Sequence, residues 1–383
     1  MVSSTPLTFI SSFRTPQQSL HSLESYGSLF IISQVFERKP VHIAKRNESP
    51  DYFKTVMSCK HFDNMMRENF LEYSKHIDVV IYTDGVRKTF NPEGRAYPSS
   101  VWKFYREGCS VRMQNPQSYH DNLWKLCSNL QEYFGSYVGA NLYLTPPGSQ
   151  GFAPHYDDID AFILQLEGRK LWKIYPPRTN KEVLPRTSSV NFTQDEIGTP
   201  IMECELLPGD LLYFPRGFIH QARTADDVHS LHVTISTNQK NTFGDLLELA
   251  LPRALEQAIK EDPEFRESLP KDYMNLVGTT NSNIESPERN KFLEKVISLS
   301  SKILKYLSVD EAADQHAKDF IHASMPPHLT LREKSRSIYG HGEEWENGRI
   351  VNVTELSPDS KIRLIRKRAA RLVAGRQASA NIP

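Results

Sequence analysis

Residues 155–175 read His155-Tyr-Asp157-Asp-Ile-Asp-Ala161-Phe-Ile-Leu-Gln-Leu166-Glu167-Gly168-Arg169-Lys170-Leu-Trp172-Lys-Ile174-Tyr175. In an extended chain residues i and i+2 point the same way, so His155 and Asp157 can chelate one ion from one strand end. Ala161–Leu166 predicts a strand, Glu167-Gly168 a tight turn, and Arg169–Tyr175 a returning strand. In that returning strand Lys170, Trp172 and Ile174 share a face, and Arg169, Leu171, Lys173 and Tyr175 take the other. The Lys170 face is the more apolar, so the lysine is expected to point inward. An unpaired inward charge is costly and needs an anionic partner, of which a carboxylate cosubstrate is one.

Upstream, the loop Thr145–Pro154 feeds His155, and Asn141, Tyr143 and Thr145 alternate with Leu142 and Leu144. The polar set faces either a lumen, as ligand contacts, or solvent. Downstream comes Gly209-Asp-Leu-Leu-Tyr-Phe-Pro215-Arg-Gly217-Phe-Ile-His220. Its G-x5-P-x-G-x2-H spacing resembles the second motif of the cupin superfamily, with a strand at Leu211–Phe214 and a bend at Pro215–Gly217 that aims His220 inward. His229 and His232 are rival ligands, and His232, Thr234 and Ser236 form a polar face on a short strand. Two histidines and one carboxylate on one face of an iron leave positions open for cosubstrate and oxygen. His-x-Asp alone is weak: a chain with 13 histidines holds roughly one by chance. This chain has three. His61/Asp63 sits in a helix-like stretch, where i and i+2 diverge. His76/Asp78 leads into Val79-Val80-Ile81-Tyr82 without a distant partner motif. Only His155/Asp157 has one, in His220.

The 383 residues predict two or three domains. Equal counts of Lys+Arg and Asp+Glu, 46 each, exclude a chain that wraps nucleic acid by bulk charge and leave local patches open, so direct nucleic-acid binding stays undecided. No apolar run approaches the ~20 residues of a membrane helix, so no membrane partner is expected. Cys59, Cys109, Cys127 and Cys204 are scattered and suggest a reducing compartment. Residues 1–28, rich in Ser, Thr and Gln, read as a loose arm; Arg14 is the sole basic residue before Glu24, which is unlike a transit peptide, and no secretory signal is seen. Dense Pro, Gly and Asn in 84–118 argue against long helices there. After Asn241 the pattern turns helical, with Leu246, Leu247, Leu249, Ala250, Ala254 and Ile259 in a stripe interrupted by Pro252. A second stripe, Phe292, Val296, Leu299, Ile303 and Leu307, is either a helix packed on its own domain or a dimerisation helix. From Lys361 the tail carries Arg363, Arg366, Lys367, Arg368, Arg371 and Arg376 and no acidic residue. That is a solvated tail, or a nuclear-import or nucleic-acid patch.

The run Gly-Ser-Gln-Gly-Phe-Ala-Pro-His155-Tyr-Asp157 to Trp172, with Leu-Tyr-Phe-Pro-Arg-Gly-Phe-Ile-His220-Gln-Ala and His-Ser-Leu-His232-Val-Thr-Ile-Ser236, resembles the JmjC ribosomal oxygenases, nearest the nucleolar lysine-demethylase and histidyl-hydroxylase type. The likeness covers about Val35 to Gly375. It implies a mainly β core, a double-stranded β-helix or cupin-like jelly roll, followed by an α-helical dimerisation region and a small winged helix. The corresponding boundaries are 29–240 for the oxygenase domain (core 94–240), 241–312 for the helical region and 313–383 for the winged helix. It further implies Fe(II) on His155, Asp157 and His220 as the catalytic centre, with 2-oxoglutarate as cosubstrate. Lys170 would then pair with the far carboxylate, Asn141, Tyr143 and Ser236 would lie near cosubstrate or substrate, and Arg112 would line the substrate pocket. The implied reaction is hydroxylation of a histidine on a large-subunit ribosomal protein. The alternatives are demethylation of methyl-lysine on histone H3, as a chromatin and transcription regulator, or a catalytically silent cupin adaptor. An aromatic cage for methyl-lysine is not assembled from these residues. A homodimer in the nucleus, specifically the nucleolus, is expected, although the long basic N-terminal extension common in nucleolar members is lacking. The chain ends soon after Arg371-Leu-Val-Ala-Gly375, where the family usually continues, so a truncated winged helix is expected.

Overall fold

A computed structural model describes residues 34–44, 51–334, 337, 344–351, 355, 357–364 and 370–371. The expected arm at residues 1–28 lies outside them, as do Arg366, Lys367, Arg368 and Arg376 of the basic tail. The chain divides into two compact units, Met1–Gln239 with Ser324–Lys367, and Lys240–Ala323 with Arg368–Pro383.

The first unit opens with β1 (Val41–Ile43), helix α1 (Cys59–Glu68), the hairpin β2 (Ile77–Thr83) and β3 (Val86–Thr89), α2 (Pro98–Arg106), β4 (Ser110–Gln114) and α3 (Asp121–Phe134). Short strands then follow one another: β5 (Val138–Thr145), β6 (Asp160–Gly168), β7 (Lys170–Tyr175), β8 (Met202–Leu206), β9 (Leu211–Phe214), β10 (Ile219–Thr224) and β11 (Ser230–Thr237). The helices begin where their sequences cap them. Ser58 accepts from the His61 amide at 3.2 Å to start α1. Pro98 occupies the first turn of α2, where a missing N–H costs nothing. Gly135, at φ 65°, closes α3. The nine-residue α2 is the α-helix within 84–118, in keeping with the dense turn residues there.

The strands form an 8-stranded sheet, β1-β9-β6-β11-β5-β4-β2-β3, and a 3-stranded sheet, β10-β7-β8. Every pairing between them is antiparallel. Alternation assigns the two faces of the large sheet. Leu142, Leu144, Leu164 and Val233 join a core with Phe62, Met65, Met66, Leu123 and Leu130 of the helices. Ala161, Ile163, Leu212 and Phe214 point the other way and meet Trp172, Ile174 and Leu206 of the small sheet. The result is the cupin-type core, helix-backed on one side and enclosing a lumen on the other.

The second unit is helical, with α4 (Phe243–Glu261), α5 (Tyr273–Leu276), α6 (Pro287–Ile303) and α7 (Val309–Ala323). Thr242 and Asp245 form a capping box that starts α4. Contrary to the expected interruption, α4 runs through Pro252. It buries Ala250, Ala254 and Ala258 along one side. The stripe on α6 is partly covered within the unit: Phe292, Leu299 and Ile303 are half-buried, Phe292 stacking on Tyr273, while Val296 is exposed. Beyond these lie α8 (Leu331–Lys334) and the hairpin β12 (Glu344–Glu346) and β13 (Arg349–Val351). Among the described residues no helix is long and apolar enough to cross a membrane.

Candidate metal centre and its cavity

His155 does not sit on a regular strand, as its i, i+2 spacing from Asp157 suggested. It makes an isolated bridge to His220 at the start of β10. The His220 amide donates to the His155 carbonyl at 2.8 Å, and the return bond is 3.3 Å. Backbone pairing therefore fixes the separation of the two imidazoles, whose ring centroids are 4.5 Å apart. The segment leading in is held by Gly151, where a Cβ would meet Ser110 Cβ at 2.6 Å. The Gly217 amide donates to the Asp157 carbonyl at 3.1 Å, which ties the Pro215–Gly217 bend to the ligand loop.

Each histidine is oriented by a carbonyl two residues before it. His155 Nδ1–H donates to the Ala153 carbonyl at 2.8 Å, and His220 Nδ1–H to the Phe218 carbonyl at 3.2 Å. Those bonds select the tautomer whose Nε2 lone pair is free. The two Nε2 atoms face Asp157, at 3.8 Å from Oδ1 and 3.7 Å from Oδ2. All three donors lie within 4.8 Å of one another. Burial, and then the neighbouring His155, push the His220 imidazolium down to about 4, so the ring stays neutral and available to a cation. Two histidines and a carboxylate from one side match the iron facial triad.

The lumen beside this triad is lined by Tyr143, Phe152, Ile163, Lys170, Trp172, Phe214, His232 and Thr234. Lys170 is 6% exposed and faces inward with Trp172 and Ile174, as alternation predicted. Its Nζ donates to Thr145 Oγ1 at 3.1 Å and has no carboxylate partner among the described residues. Burial pushes the ammonium down to about 7. The Trp172 indole N–H and His232 Nδ1 are likewise buried without a protein partner. A small dianion ligating the metal at one end and reaching Lys170 at the other suits this donor set. Tyr143 stacks on His232 at 4.9 Å, and burial pushes its phenol up to about 12, so it remains a neutral hydroxyl.

The remaining sequence candidates separate. Asn141 and Ser236 stand on the same strand faces as Tyr143 and Thr234 but do not line this lumen. Arg112 pairs with Asp78 through Nε at 3.0 Å and Nη2 at 2.5 Å, and lies 5.8 Å from the Phe152 ring. Asp78 is thereby spent on Arg112 and Asn91, and Asp63 on Arg67 and Trp102, so neither of the other His-x-Asp pairs joins a triad. His229 stands with Glu167 at 3.2 Å, and His232 on Tyr143, so neither rival joins His155 and Asp157. Arg87 was not anticipated. Its guanidinium carbon lies 4.5 Å from the centre of the Phe152 ring, and its place on the short, largely exposed strand β3 left no trace in hydropathy.

Residues 112–245 match the JmjC domain model, and residues 325–381 match the model of the C-terminal winged helix domain of ribosomal oxygenase 1. Ribosomal oxygenase 1 of Danio rerio is 50% identical over 338 residues, covering 88% of this chain and 62% of that protein. The bifunctional lysine-specific demethylase and histidyl-hydroxylase NO66 of Dictyostelium discoideum is 50% identical over 341 residues, covering 89% of this chain and 64% of that protein. This chain carries a JmjC domain and is similar over most of its length to these ribosomal oxygenases. It spans about three fifths of the length of these relatives. The crystal structure of Escherichia coli ycfD is similar at a TM-score of 0.49 and 16% identity, covering 81% of this chain and 77% of that one. In this JmjC domain the matched segment contains His155, Asp157, Lys170 and His220, the residues that the geometry brings to one lumen.

Proposed function

We propose that the chain is an Fe(II)- and 2-oxoglutarate-dependent protein oxygenase that hydroxylates a histidine of a large-subunit ribosomal protein. One observation carries this reading: a two-histidine, one-carboxylate donor set opens onto the same lumen as a buried lysine without a counter-ion. His155, Asp157 and His220 would hold the iron, and Lys170 with Thr145 would hold the far carboxylate of 2-oxoglutarate. Iron with 2-oxoglutarate and oxygen supplies oxidative insertion into a C–H bond, with decarboxylation to succinate. The protein's part is position and dryness. Ala153 and Phe218 carbonyls fix the two imidazoles, Tyr143 offers a neutral hydroxyl, and Ile163, Trp172 and Phe214 exclude water.

The alternative is demethylation of a histone H3 methyl-lysine; the name of the Dictyostelium relative supports a lysine demethylase beside a histidyl-hydroxylase. The surroundings of Phe152 favour histidine. That ring already has the Arg87 and Arg112 guanidinium carbons within 4.5 and 5.8 Å. A methylammonium entering beside it would meet like charge rather than an aromatic cage. A silent adaptor has no need of an intact triad and a buried lysine. Incubation with iron, 2-oxoglutarate and ribosomal or methylated H3 peptides, read by mass spectrometry, separates these readings.

A homodimer is also part of the proposal. Phe243, Leu247, Leu251, Leu255 and Ile259 recur every fourth residue along α4 and are all 40% exposed or more. Such a ridge matches the helix–helix packing of a subunit interface. Nuclear and nucleolar residence is supported by the basic stretch that begins at Lys361.

A further inference from the structure

The geometry points to a second metal site, made by Cys59, Glu167 and His229 and suited to a zinc-type divalent cation, outside the lumen of the JmjC centre. The three donor atoms lie within 4.8 Å of one another, yet their residues come from three separate segments: the first turn of α1, the end of β6 and the residue just before β11. Glu167 is clamped between the other two. Its Oε1 accepts from the Cys59 amide at 2.8 Å, and its Oε2 stands 3.2 Å from His229 Nε2. Two light donors bound to one zinc at about 2.0–2.1 Å are roughly 3.3 Å apart, so this pair is already spaced for a tetrahedral edge.

The backbone holds the arrangement. Gly168 has φ +64°, and a Cβ there would fall 1.7 Å from the His229 carbonyl oxygen. The Arg169 amide donates to that same oxygen at 3.2 Å. The turn that carries Glu167 is thus pressed against the residue that carries the imidazole.

The donor set selects the ion. A thiolate with an imidazole and a carboxylate suits zinc, whereas the oxygen- and nitrogen-only triad at His155 suits iron. Three protein donors leave one corner of a tetrahedron to water, and side-chain exposures of 34% for His229 and 31% for Glu167 let solvent reach it. Without the cation, burial and the Glu167 carboxylate hold the Cys59 thiol protonated. Binding releases that proton to solvent as the sulfur–metal bond forms. The bound ion would cross-link helix α1 to the ends of the paired strands β6 and β11 of the large sheet, across sequence separations of 108 and 62 residues.

Cobalt(II) titration of the full chain tests the site, because only a cysteine-ligated centre gives a near-ultraviolet thiolate-to-cobalt band. The expected result is such a band in the wild type, which reaches its end point at one equivalent once the triad no longer competes for cobalt. It persists in His155→Ala/Asp157→Ala, is displaced by zinc, and is lost in Cys59→Ser. His229→Ala should weaken binding by more than the roughly 10- to 100-fold cost of losing an outer-shell partner. No thiolate band in the wild type at saturating cobalt would overturn the site, and that reading does not depend on any variant folding. A band that survives Cys59→Ser in a folded protein would overturn it equally.

Discussion

Lys170 owes its role to a single period-two pattern. Alternation with Leu171 and Lys173 turns it inward, and burial then depresses its ammonium to about 7. The consequence is a pH dependence with a fixed sign. Above pH 7 the lysine of the free protein is neutral, and an incoming carboxylate must bring a proton with it. The 2-oxoglutarate affinity is expected to be flat below about pH 7 and to fall by up to about tenfold per unit above it. Calorimetry in buffers of different ionisation enthalpy should show net proton uptake at pH 8, and Lys170→Met should abolish both the uptake and the slope. Losing the buried charge partner costs about 2–5 kcal/mol, so Lys170→Met should raise the KM for 2-oxoglutarate about 30-fold or more. The metal donors were as legible as the lysine, because His-x-Asp, Gly209, Pro215, Gly217 and His220 carry their spacing in the sequence. Arg87 and the Cys59–Glu167–His229 cluster were not. Their members meet through tertiary packing, and no local period connects residues 59, 167 and 229.

At the scale of elements, the bend before β10 is where backbone geometry serves the site. Gly217 has φ +87°, and a Cβ there would lie 2.1 Å from the Glu182 carbonyl oxygen. Gly217→Ala is therefore expected to destabilise by about 3 kcal/mol or more in chemical denaturation. Gly198→Ala is the matched control. Its φ is +69° with open space around the new Cβ, so only the left-handed penalty of about 1–2 kcal/mol applies. The neighbouring Arg216 is the buried cation of a network. Its Nη1 donates to Asp160 at 2.8 Å and to Glu37 at 2.7 Å. Asp160 is fully buried, so Arg216→Met strands a carboxylate and should cost about 3–5 kcal/mol by the same measurement. The strands themselves were readable: Leu211–Phe214 was expected with the bounds observed, and Lys170–Tyr175 begins one residue later than expected. The sequence misled at Pro252, because the missing amide bond is tolerated inside a helix whose buried side is the small-residue row Ala250, Ala254, Ala258.

For the whole molecule, the exposed ridge of α4 predicts self-association. Leu251→Asp/Leu255→Asp should convert a dimer to a monomer in analytical ultracentrifugation, while a wild-type chain that sediments as a monomer at tens of micromolar would remove the proposal. The layered core and the helical unit were both visible as a change of period near residue 240. The partition into compact units, in which residues from Ser324 return to the first, was not, since such long-range return leaves no local pattern. The most direct test of the oxygenase reading is mass spectrometry after incubation with Fe(II), 2-oxoglutarate and ribosomal-protein histidine peptides, with His155→Ala/Asp157→Ala as control. The account predicts a gain of one oxygen atom on a histidine, matched by succinate and absent in the control. Iron-loaded protein that produces neither hydroxylated peptide nor succinate would contradict it.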